Sequence, residues 1–323
     1  MISGKKILIL SAVVLIASCS KMESVRTVGY TGLDYAESGS QICAKAGIEC
    51  NNATKVDLIG VVKGTTFPVS TEKIFAMTAF RADDVPTDYT PNSRINNDYA
   101  NADEGAQVKF AKPKYYPEEG KLYFYAFSPV VHSTYYPGSG AQAPLATWKI
   151  TGSEDIMWAE DARGIAKAPV GAEQLQPTLN FVHKLTQLQF KLIQGTNFTP
   201  NAAVTSLTIH DIPVSCSMNI INGDIEWGEN ESLVVTSSDM AVKPNSSSLK
   251  IFPVMIKAGI TSVHVTFLIK GIEYDAYVDL SGTAHAGEAG YSTLLTFTFS
   301  GLSLKFTTEL TDWQNVGHAA GNI

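Results

Sequence analysis

Apolar and polar residues alternate along most of the chain after residue 55, and this period of two is typical of strands that bury one face. Two such segments flank Lys270-Gly271, a dipeptide suited to a tight turn, so they predict a β-hairpin. The residues expected on its buried face are Val263, Val265, Phe267 and Ile269 in the first strand and Tyr274, Ala276, Val278 and Leu280 in the second.

Two further hairpins follow from the same pattern. One turns at Asn222-Gly223, a dipeptide that favours a type I′ turn, between residues 217–221 and 225–227. The other turns at Ser300-Gly301. Its second strand is expected to bury Leu304, Phe306 and Leu310 and to expose Lys305 and Glu309.

Other segments predict the organisation around these hairpins. Lys121–Phe127 is apolar on both faces, which indicates a central strand covered on both sides. Residues 83–114 are rich in Asp, Asn and Pro and are expected to form a long surface loop. Ala159–Ala168 has room for a short helical turn before Pro169, and Ala166–Pro177 is the best candidate for a linker. Many short strands with turn signals about every ten residues favour an all-β fold built from sandwiches.

The first eighteen residues predict a targeting segment that is removed on export. Lys5 and Lys6 precede the apolar run Ile7–Ala17, which is too short to cross a bilayer as a permanent helix. The run ends in Leu15-Ile16-Ala17-Ser18-Cys19, which resembles a bacterial lipobox, so Cys19 is the expected site of lipid attachment. An ordinary signal peptide with a chance cysteine is the alternative.

Charge excludes one class of partner. Residues 1–18 contain two lysines and no acidic residue, so the rest of the chain carries 22 basic and 31 acidic residues and a net charge of −9. Nucleic-acid binding, which requires a basic face, is therefore not expected.

The remaining cysteines are Cys43, Cys50 and Cys216. In an exported protein Cys43 and Cys50 are a possible disulfide closing a small loop, and three free thiols are the alternative. Their spacing is too wide for a zinc knuckle and no histidine is near in sequence, so no metal site is expected there.

None of the familiar catalytic spacings is present in the sequence. The chain lacks G-x-S-x-G, H-E-x-x-H and a phosphate-binding loop, and its six histidines are scattered singly. His210-Asp211 is expected to be a chance pair, because adjacent residues of a strand face opposite ways. His183 is expected to be a core histidine. No enzymatic activity and no cofactor are predicted.

Six tyrosines lie close together in the sequence. Aromatic platforms bind sugars, but tyrosine also packs well on half-buried strands, and packing is the favoured interpretation. The six are Tyr115, Tyr116, Tyr123, Tyr125, Tyr135 and Tyr136.

Several of these stretches together resemble the fimbrillin family of Bacteroidales, the Mfa-like and FimA-like subunits of type V pili. Besides the lipobox at Cys19, the resemblance rests on residues 116–129, Asp155-Ile156-Met157-Trp158-Ala159, residues 179–190, and the segment from Gly287 through alternating strands to Trp313. It implies two tandem transthyretin-like β-sandwiches, which we expect at residues 19–177 and 178–323, and export as an outer-membrane lipoprotein at the cell surface.

The resemblance also implies assembly with other pilus subunits by β-strand addition. In polymerising members the N-terminal segment is cut after a basic residue, and a strand from a neighbour fills the groove. Of the candidate cut sites Arg26, Lys45, Lys55, Lys63 and Arg81, Lys45 and Lys55 are favoured. Val25–Tyr35 and Val56–Val62 are the strand-like segments that could be released, and a cut at Lys45 or Lys55 would release the first and spare the second. The ten residues after Trp313 include two glycines and predict a poor donor strand, which favours a tip or anchor role over a stalk role.

Three functions compete at this point. The leading one is a structural or adhesive pilus subunit. The second is a monomeric outer-membrane lipoprotein that binds host or bacterial surface glycans through the tyrosines or residues 83–114. The third is a hydrolase with a dispersed site.

Replacing Cys19 by Ala should abolish lipid attachment, because the acyl chains are carried by the cysteine sulfur. The precursor should remain in the inner membrane or become soluble in the periplasm, as measured by cell fractionation. A variant that still fractionates with the outer membrane as the unchanged protein does would contradict the lipobox prediction.

Overall fold

The computed structural model describes residues 40–48, 75–92, 95–102, 107–198, 204–235, 253–301, 303–311 and 313. In these ranges the regular structure is β-strand, and no helix there is long and apolar enough to cross a membrane. The all-β prediction is confirmed. The strands are β1 (Lys45–Ile48), β2 (Phe75–Ala82), β3 (Asp98–Ala102), β4 (Val108–Phe110), β5 (Lys121–Ser128), β6 (Ser133–Tyr136), β7 (Leu145–Lys149), β8 (Met157–Ala166), β9 (Thr178–His183), β10 (Leu185–Gln194), β11 (Val204–Pro213), β12 (Ser215–Asn219), β13 (Ile225–Trp227), β14 (Asn230–Val235), β15 (Val254–Lys257), β16 (Ser262–Ile269), β17 (Ile272–Asp279), β18 (Ser292–Ser300) and β19 (Ser303–Thr311).

Some of the predicted features lie outside the described residues. They are the targeting segment 1–18, Cys19, Cys50, Lys55, Val25–Tyr35, Val56–Val62 and the tail after Trp313.

The strands form four sheets. The first sheet has the order β1-β9-β8-β5-β2-β3-β4, and the second has the order β13-β12-β7-β6. The third sheet is β15-β10-β18-β19 and the fourth is β14-β11-β16-β17. One apolar cluster lies between the third and fourth sheets, and another is shared by the first and second sheets, as expected for sandwiches.

Strand β5 is the centre of the first sheet and is buried on both faces, as predicted. Leu122, Phe124 and Ala126 point into a cluster enclosed by the first sheet. Tyr123, Tyr125 and Phe127 point into the cluster shared with the second sheet. This two-sided burial explains why the strand has no polar residue between its ends.

The hairpin β16–β17 forms around the predicted turn, with Ile269 opposite Ile272, and it has the predicted buried face. The hairpin β18–β19 also forms, but its second strand is less buried than predicted. Phe306 is 38% exposed, and Leu304 and Leu310 are only partly buried. The reason is that β19 is at the edge of its sheet, so its side chains have a neighbouring strand on one side only.

Two local predictions are corrected. Residues 83–114 are not one loop, because β3 and β4 lie within them and extend the first sheet. In place of the helical turn expected at Ala159–Ala168, residues 159–166 belong to β8. Gly164 there has φ +65° beside a register shift opposite β5, and a Cβ at this position would lie 2.6 Å from the Tyr123 ring.

The hairpin at Asn222-Gly223 forms, but its turn is not type I′. Of the two residues, only Gly223 has a positive φ, whereas a type I′ turn requires two. The Gly223 N–H donates to the carbonyl of Asn219 at 2.8 Å. The loop is therefore longer than the dipeptide suggested.

The predicted boundary after residue 177 does not coincide with a change of sheet. Strand β9, which begins at Thr178, pairs with β1 and β8 in the first sheet. The second sheet joins β6 and β7 to β12 and β13 from the later half of the chain. The division into two tandem domains remains a prediction.

Phe297 and Phe306 are cross-strand partners and allow a matched test of the third sheet. Phe297 is fully buried, so Phe297→Ala should lower the free energy of unfolding by about 3–5 kcal/mol. Phe306→Ala removes the same atoms from an edge position and should cost about 1 kcal/mol or less. Equal losses in urea denaturation would contradict this arrangement.

Candidate functional site

A short segment near the start of the described chain is inserted between two other strands, and we call residues 40–48 the inserted segment. Its C-terminal half is β1, which pairs in parallel with the beginning of β9 from Lys45↔Thr178 to Ile48↔Phe181. The N–H of Lys45 also donates to the carbonyl of Pro177 at 2.9 Å. One edge of the segment is therefore paired along four residues.

The other edge of the inserted segment pairs with residues 107–116, which run antiparallel to it. The Val108 N–H donates to the Ala44 carbonyl at 2.8 Å, and the Ile42 N–H donates to the Lys114 carbonyl at 2.7 Å. The Tyr116 N–H donates to the Ser40 carbonyl at 3.0 Å. Since β1 and β4 are the two outer strands of the first sheet, these contacts close the sheet on itself.

The side chains of the inserted segment alternate between core and surface. Ile42, Ala44, Ala46 and Ile48 are buried in the cluster enclosed by the first sheet. Their neighbours point away from the cluster, and the Lys45 side chain is exposed. Two alanines in the middle fit a place where large side chains of other strands, Phe124 of β5 and Phe181 of β9, already fill the interior.

A buried carboxylate anchors β9, which is the parallel partner of the inserted segment. Asp161 of β8 accepts a hydrogen bond from the Thr178 N–H at 2.7 Å and is paired with the Arg163 guanidinium. Burial opposes ionisation of Asp161, but the hydrogen bonds from Arg163 and Thr178 outweigh it and lower its pKa. Arg163 also donates to the carbonyl of Gln176 at 3.2 Å, which fixes the approach to β9.

Residue Tyr116 seals the end of the site near Ser40. Its ring is buried and contacts Phe124, and its hydroxyl donates to the Leu175 carbonyl at 3.1 Å. Burial, and secondarily the nearby Asp161 charge, raises the pKa of this hydroxyl. It therefore remains a neutral donor.

The predicted processing and disulfide residues map onto this site only in part. Lys45 lies inside the inserted segment, at the first position of β1. Cys43, two residues earlier, is disulfide-bonded, and Cys216 is a buried free thiol in β12. Burial raises the pKa of Cys216 to about 12, so it is unreactive at neutral pH. Lys55, Cys50 and Cys19 lie outside the described residues.

The inserted segment was not predicted from the sequence. Its only large inward residues are Ile42 and Ile48, and the positions between them are filled by alanines, which give a weak strand signal. The usable signal was the strict alternation Ile-x-Ala-x-Ala-x-Ile over residues 42–48.

The tyrosine group is mainly packing, in line with the favoured interpretation. Tyr116, Tyr123 and Tyr125 are buried. Tyr135 stacks on Phe127 with ring centroids 6.1 Å apart, and its hydroxyl lies 3.4 Å from Thr78 Oγ1. Of the six tyrosines only Tyr136 is largely exposed, so the group does not form one open platform.

The histidines singled out from the sequence have structural neighbours. His183 is buried at the end of β9, with Nδ1 2.7 Å from Asp155 and its ring 4.2 Å from the Trp313 ring. His210 does not act with Asp211, whose carboxylate instead accepts a hydrogen bond from Asn230 at 3.2 Å.

These features define an all-β sandwich protein whose first sheet is closed by an inserted N-terminal strand. Residues 49–313 match the model of the fimbrillin-like family, so the chain belongs to that family and the resemblance noted in the sequence is confirmed. Membership of the family indicates a structural, non-enzymatic protein.

Comparison with individual proteins agrees with this assignment. A protein of Bacteroides uniformis provisionally named fimbrium subunit Fim1C is 26% identical over 172 residues, which are 50% of this chain and 54% of that protein. The chain thus matches about half the length of this curated relative.

Solved structures share the fold. The crystal structure of a provisionally assigned cell adhesion protein from Bacteroides uniformis has a TM-score of 0.53 at 17% identity and covers 85% of this chain and 99% of its own. A similarly assigned protein from Bacteroides ovatus has a TM-score of 0.52 at 15% identity, with 85% and 97% covered.

Replacing Asp161 by Asn should reduce stability more at neutral pH than in acid. Because the pKa of Asp161 is lowered in the folded protein, its ionised carboxylate contributes fully to the free energy of unfolding above the unfolded pKa of about 4. This contribution is lost as the pH falls through the native pKa. The free energies of unfolding of the unchanged protein and of D161N, measured by urea denaturation, should differ at pH 7 and converge at about pH 2.5. Asp83→Asn, at an exposed position, is the control. A difference in free energy of unfolding between D161N and the unchanged protein that is the same at both pH values would contradict the prediction.

Proposed function

We propose that this protein is a cell-surface pilus subunit that assembles by exchanging its inserted segment for a strand from a neighbouring subunit. The observation that supports this function is the pairing of residues 40–48 on both edges combined with alternate burial of their side chains. A segment held in this way is replaceable by any strand that offers the same hydrogen-bond pattern and small apolar side chains at the inward positions.

Loss of the inserted segment would be unfavourable unless a replacement arrived. It would leave unpaired backbone groups on β9 and on residues 107–116 and would open the cluster that holds Ile42, Ala44, Ala46 and Ile48. Unpaired strand edges bind other strands readily. Removal of the segment would therefore drive association with a second subunit.

The position of the segment favours Lys55 over Lys45 as the processing site. A cut after Lys45 would leave Ala46–Ile48 in place beside β9, so only part of the groove would open. A cut after Lys55 falls beyond Ile48 and would free the whole segment.

The cysteines strengthen this preference. Because Cys216 is a free thiol, Cys19 and Cys50 are the candidate partners of Cys43. We assign Cys50, which the sequence spacing favours. With Cys43 joined to Cys50, a cut at Lys45 would leave the two pieces covalently linked, whereas a cut at Lys55 would release both cysteines together.

Export as a lipoprotein is part of the same proposal. Lipid on Cys19 would tether the precursor to the outer membrane, and several acyl chains on one residue give stable anchoring. Partners would be other pilus subunits, with surface proteins or glycans of host or bacterial cells as adhesion targets. A monomeric glycan-binding lipoprotein remains the alternative, although the packing of the six tyrosines does not favour it.

Digestion of the purified protein with an Arg/Lys-specific protease should produce a ladder of oligomers on native gels. Lys55→Ala should suppress cleavage and the ladder together, while Lys45→Ala should leave both. N-terminal sequencing identifies the cut. If cleavage after Lys55 is complete and the segment is released, but the protein remains monomeric, assembly by strand exchange is contradicted.

A synthetic peptide of residues 40–48 should compete for the groove and shorten the ladder. Changing Ile42 to Asp in the peptide places a charge in the core and should abolish competition, whereas Gln41→Asp, on the outward face, should not. Equal competition by both variants would show that binding does not use the register of the inserted segment.

A further inference from the structure

The outer face of the fourth sheet brings together three side chains that are far apart in sequence. His210 lies on β11 and is the cross-strand partner of His264 on β16. Asp275 lies on β17 opposite Thr266, one position further along the same face. The other faces of these strands are buried in the cluster between the third and fourth sheets. The backbone positions of the three residues are therefore fixed by the core.

The side chains already form one connected group. His264 Nε2 is 2.6 Å from Asp275 Oδ1, and the Thr266 hydroxyl donates to the same oxygen at 2.8 Å. His210 Nε2 is 2.8 Å from Thr266 Oγ1. One nitrogen or oxygen from each of His210, His264 and Asp275 lies within 4.8 Å of the others.

This spacing and these atoms suit a divalent transition metal. Tetrahedral Zn²⁺ with bonds of about 2.0–2.2 Å places its ligand atoms about 3.3–3.5 Å apart, which small side-chain rotations would achieve here. Two imidazoles and one carboxylate favour Zn²⁺, Ni²⁺ or Cu²⁺ over Ca²⁺ and Mg²⁺, which prefer oxygen ligands. The metal ion would replace the proton in the hydrogen bond between His264 Nε2 and Asp275 Oδ1.

A metal-bound histidine needs a hydrogen-bond partner for its second ring nitrogen and a fixed ring orientation, and neighbouring residues supply both. If His210 bound through Nε2, its proton would lie on Nδ1, and Ser232 Oγ is 3.1 Å from that atom. The ring of His264 is held by Tyr277, which stacks on it at 4.0 Å with an interplanar angle of 12°. Tyr277 is 71% exposed, so the remaining coordination positions would face solvent.

We propose that His210, His264 and Asp275 form a surface binding site for one divalent transition-metal ion, with Zn²⁺ as the probe. No metal site was expected from the sequence, and the proposal does not depend on the pilus function.

Isothermal titration of the purified protein with ZnCl₂ in a non-chelating buffer should show one saturable site. His264→Ala, His210→Ala and Asp275→Asn should each weaken binding by at least about tenfold, since loss of even an outer partner of a metal ligand costs this much. Zn²⁺ should also raise the melting temperature of the unchanged protein, because it binds only the folded chain.

His285→Ala is the matched control. His285 pairs with Glu288 on a different loop and is outside the group, so its removal should leave Zn²⁺ binding unchanged. Circular dichroism and thermal unfolding without metal verify that each variant is folded. Absence of saturable binding at ZnCl₂ concentrations up to about 1 mM would overturn the proposal. This concentration far exceeds the dissociation constant of a site that binds Zn²⁺ at micromolar concentrations. Binding that all three variants retain would overturn it as well.

Discussion

The first sheet depends on a strand that is held on both edges. Residues 40–48 satisfy backbone groups of β9 on one side and of residues 107–116 on the other, and they fill the interior with four small or branched side chains. An unsatisfied buried amide costs about 1–3 kcal/mol, so several lost pairs would destabilise the whole closed sheet. The same segment therefore closes the sheet, and it is the strand that the proposed exchange would replace.

The two pairs of sheets are connected through nearly continuous strands. β9 runs into β10 with one residue between them, and β11 runs into β12 in the same way, so the chain passes from one sheet to another without a linker. Trp313, from the far end of β19, packs against His183 at the first of these crossings. The Pro- and Gly-containing stretch at residues 166–177, from which a domain boundary was predicted, joins β8 and β9, two neighbouring strands of the first sheet.

Strands with a strong local pattern were predictable from the sequence. The two-sided apolar run of β5 and the alternation of β16–β17 reflect burial directly, and both predictions are confirmed. The exposure of Phe306 was not predictable, because alternation gives the direction of a side chain and not whether its strand is at the edge of a sheet. The inserted segment escaped notice for a related reason, since Ala44 and Ala46 are small where the facing side chains are large.

The histidine group illustrates a second limit of sequence reasoning. His210 and His264 are 54 positions apart and Asp275 is 11 further on, so no motif of fixed spacing joins them. Their proximity results from register: β11 pairs with β16 and β16 with β17, and a shift of one residue in either pairing would turn one side chain into the core. The buried alternation that fixes the register was visible in the sequence, whereas the pairing of β11 with β16 was not. A polar cluster on a sheet is predictable only when the strand pairings are known, because the pairings and not the local sequence bring its members together.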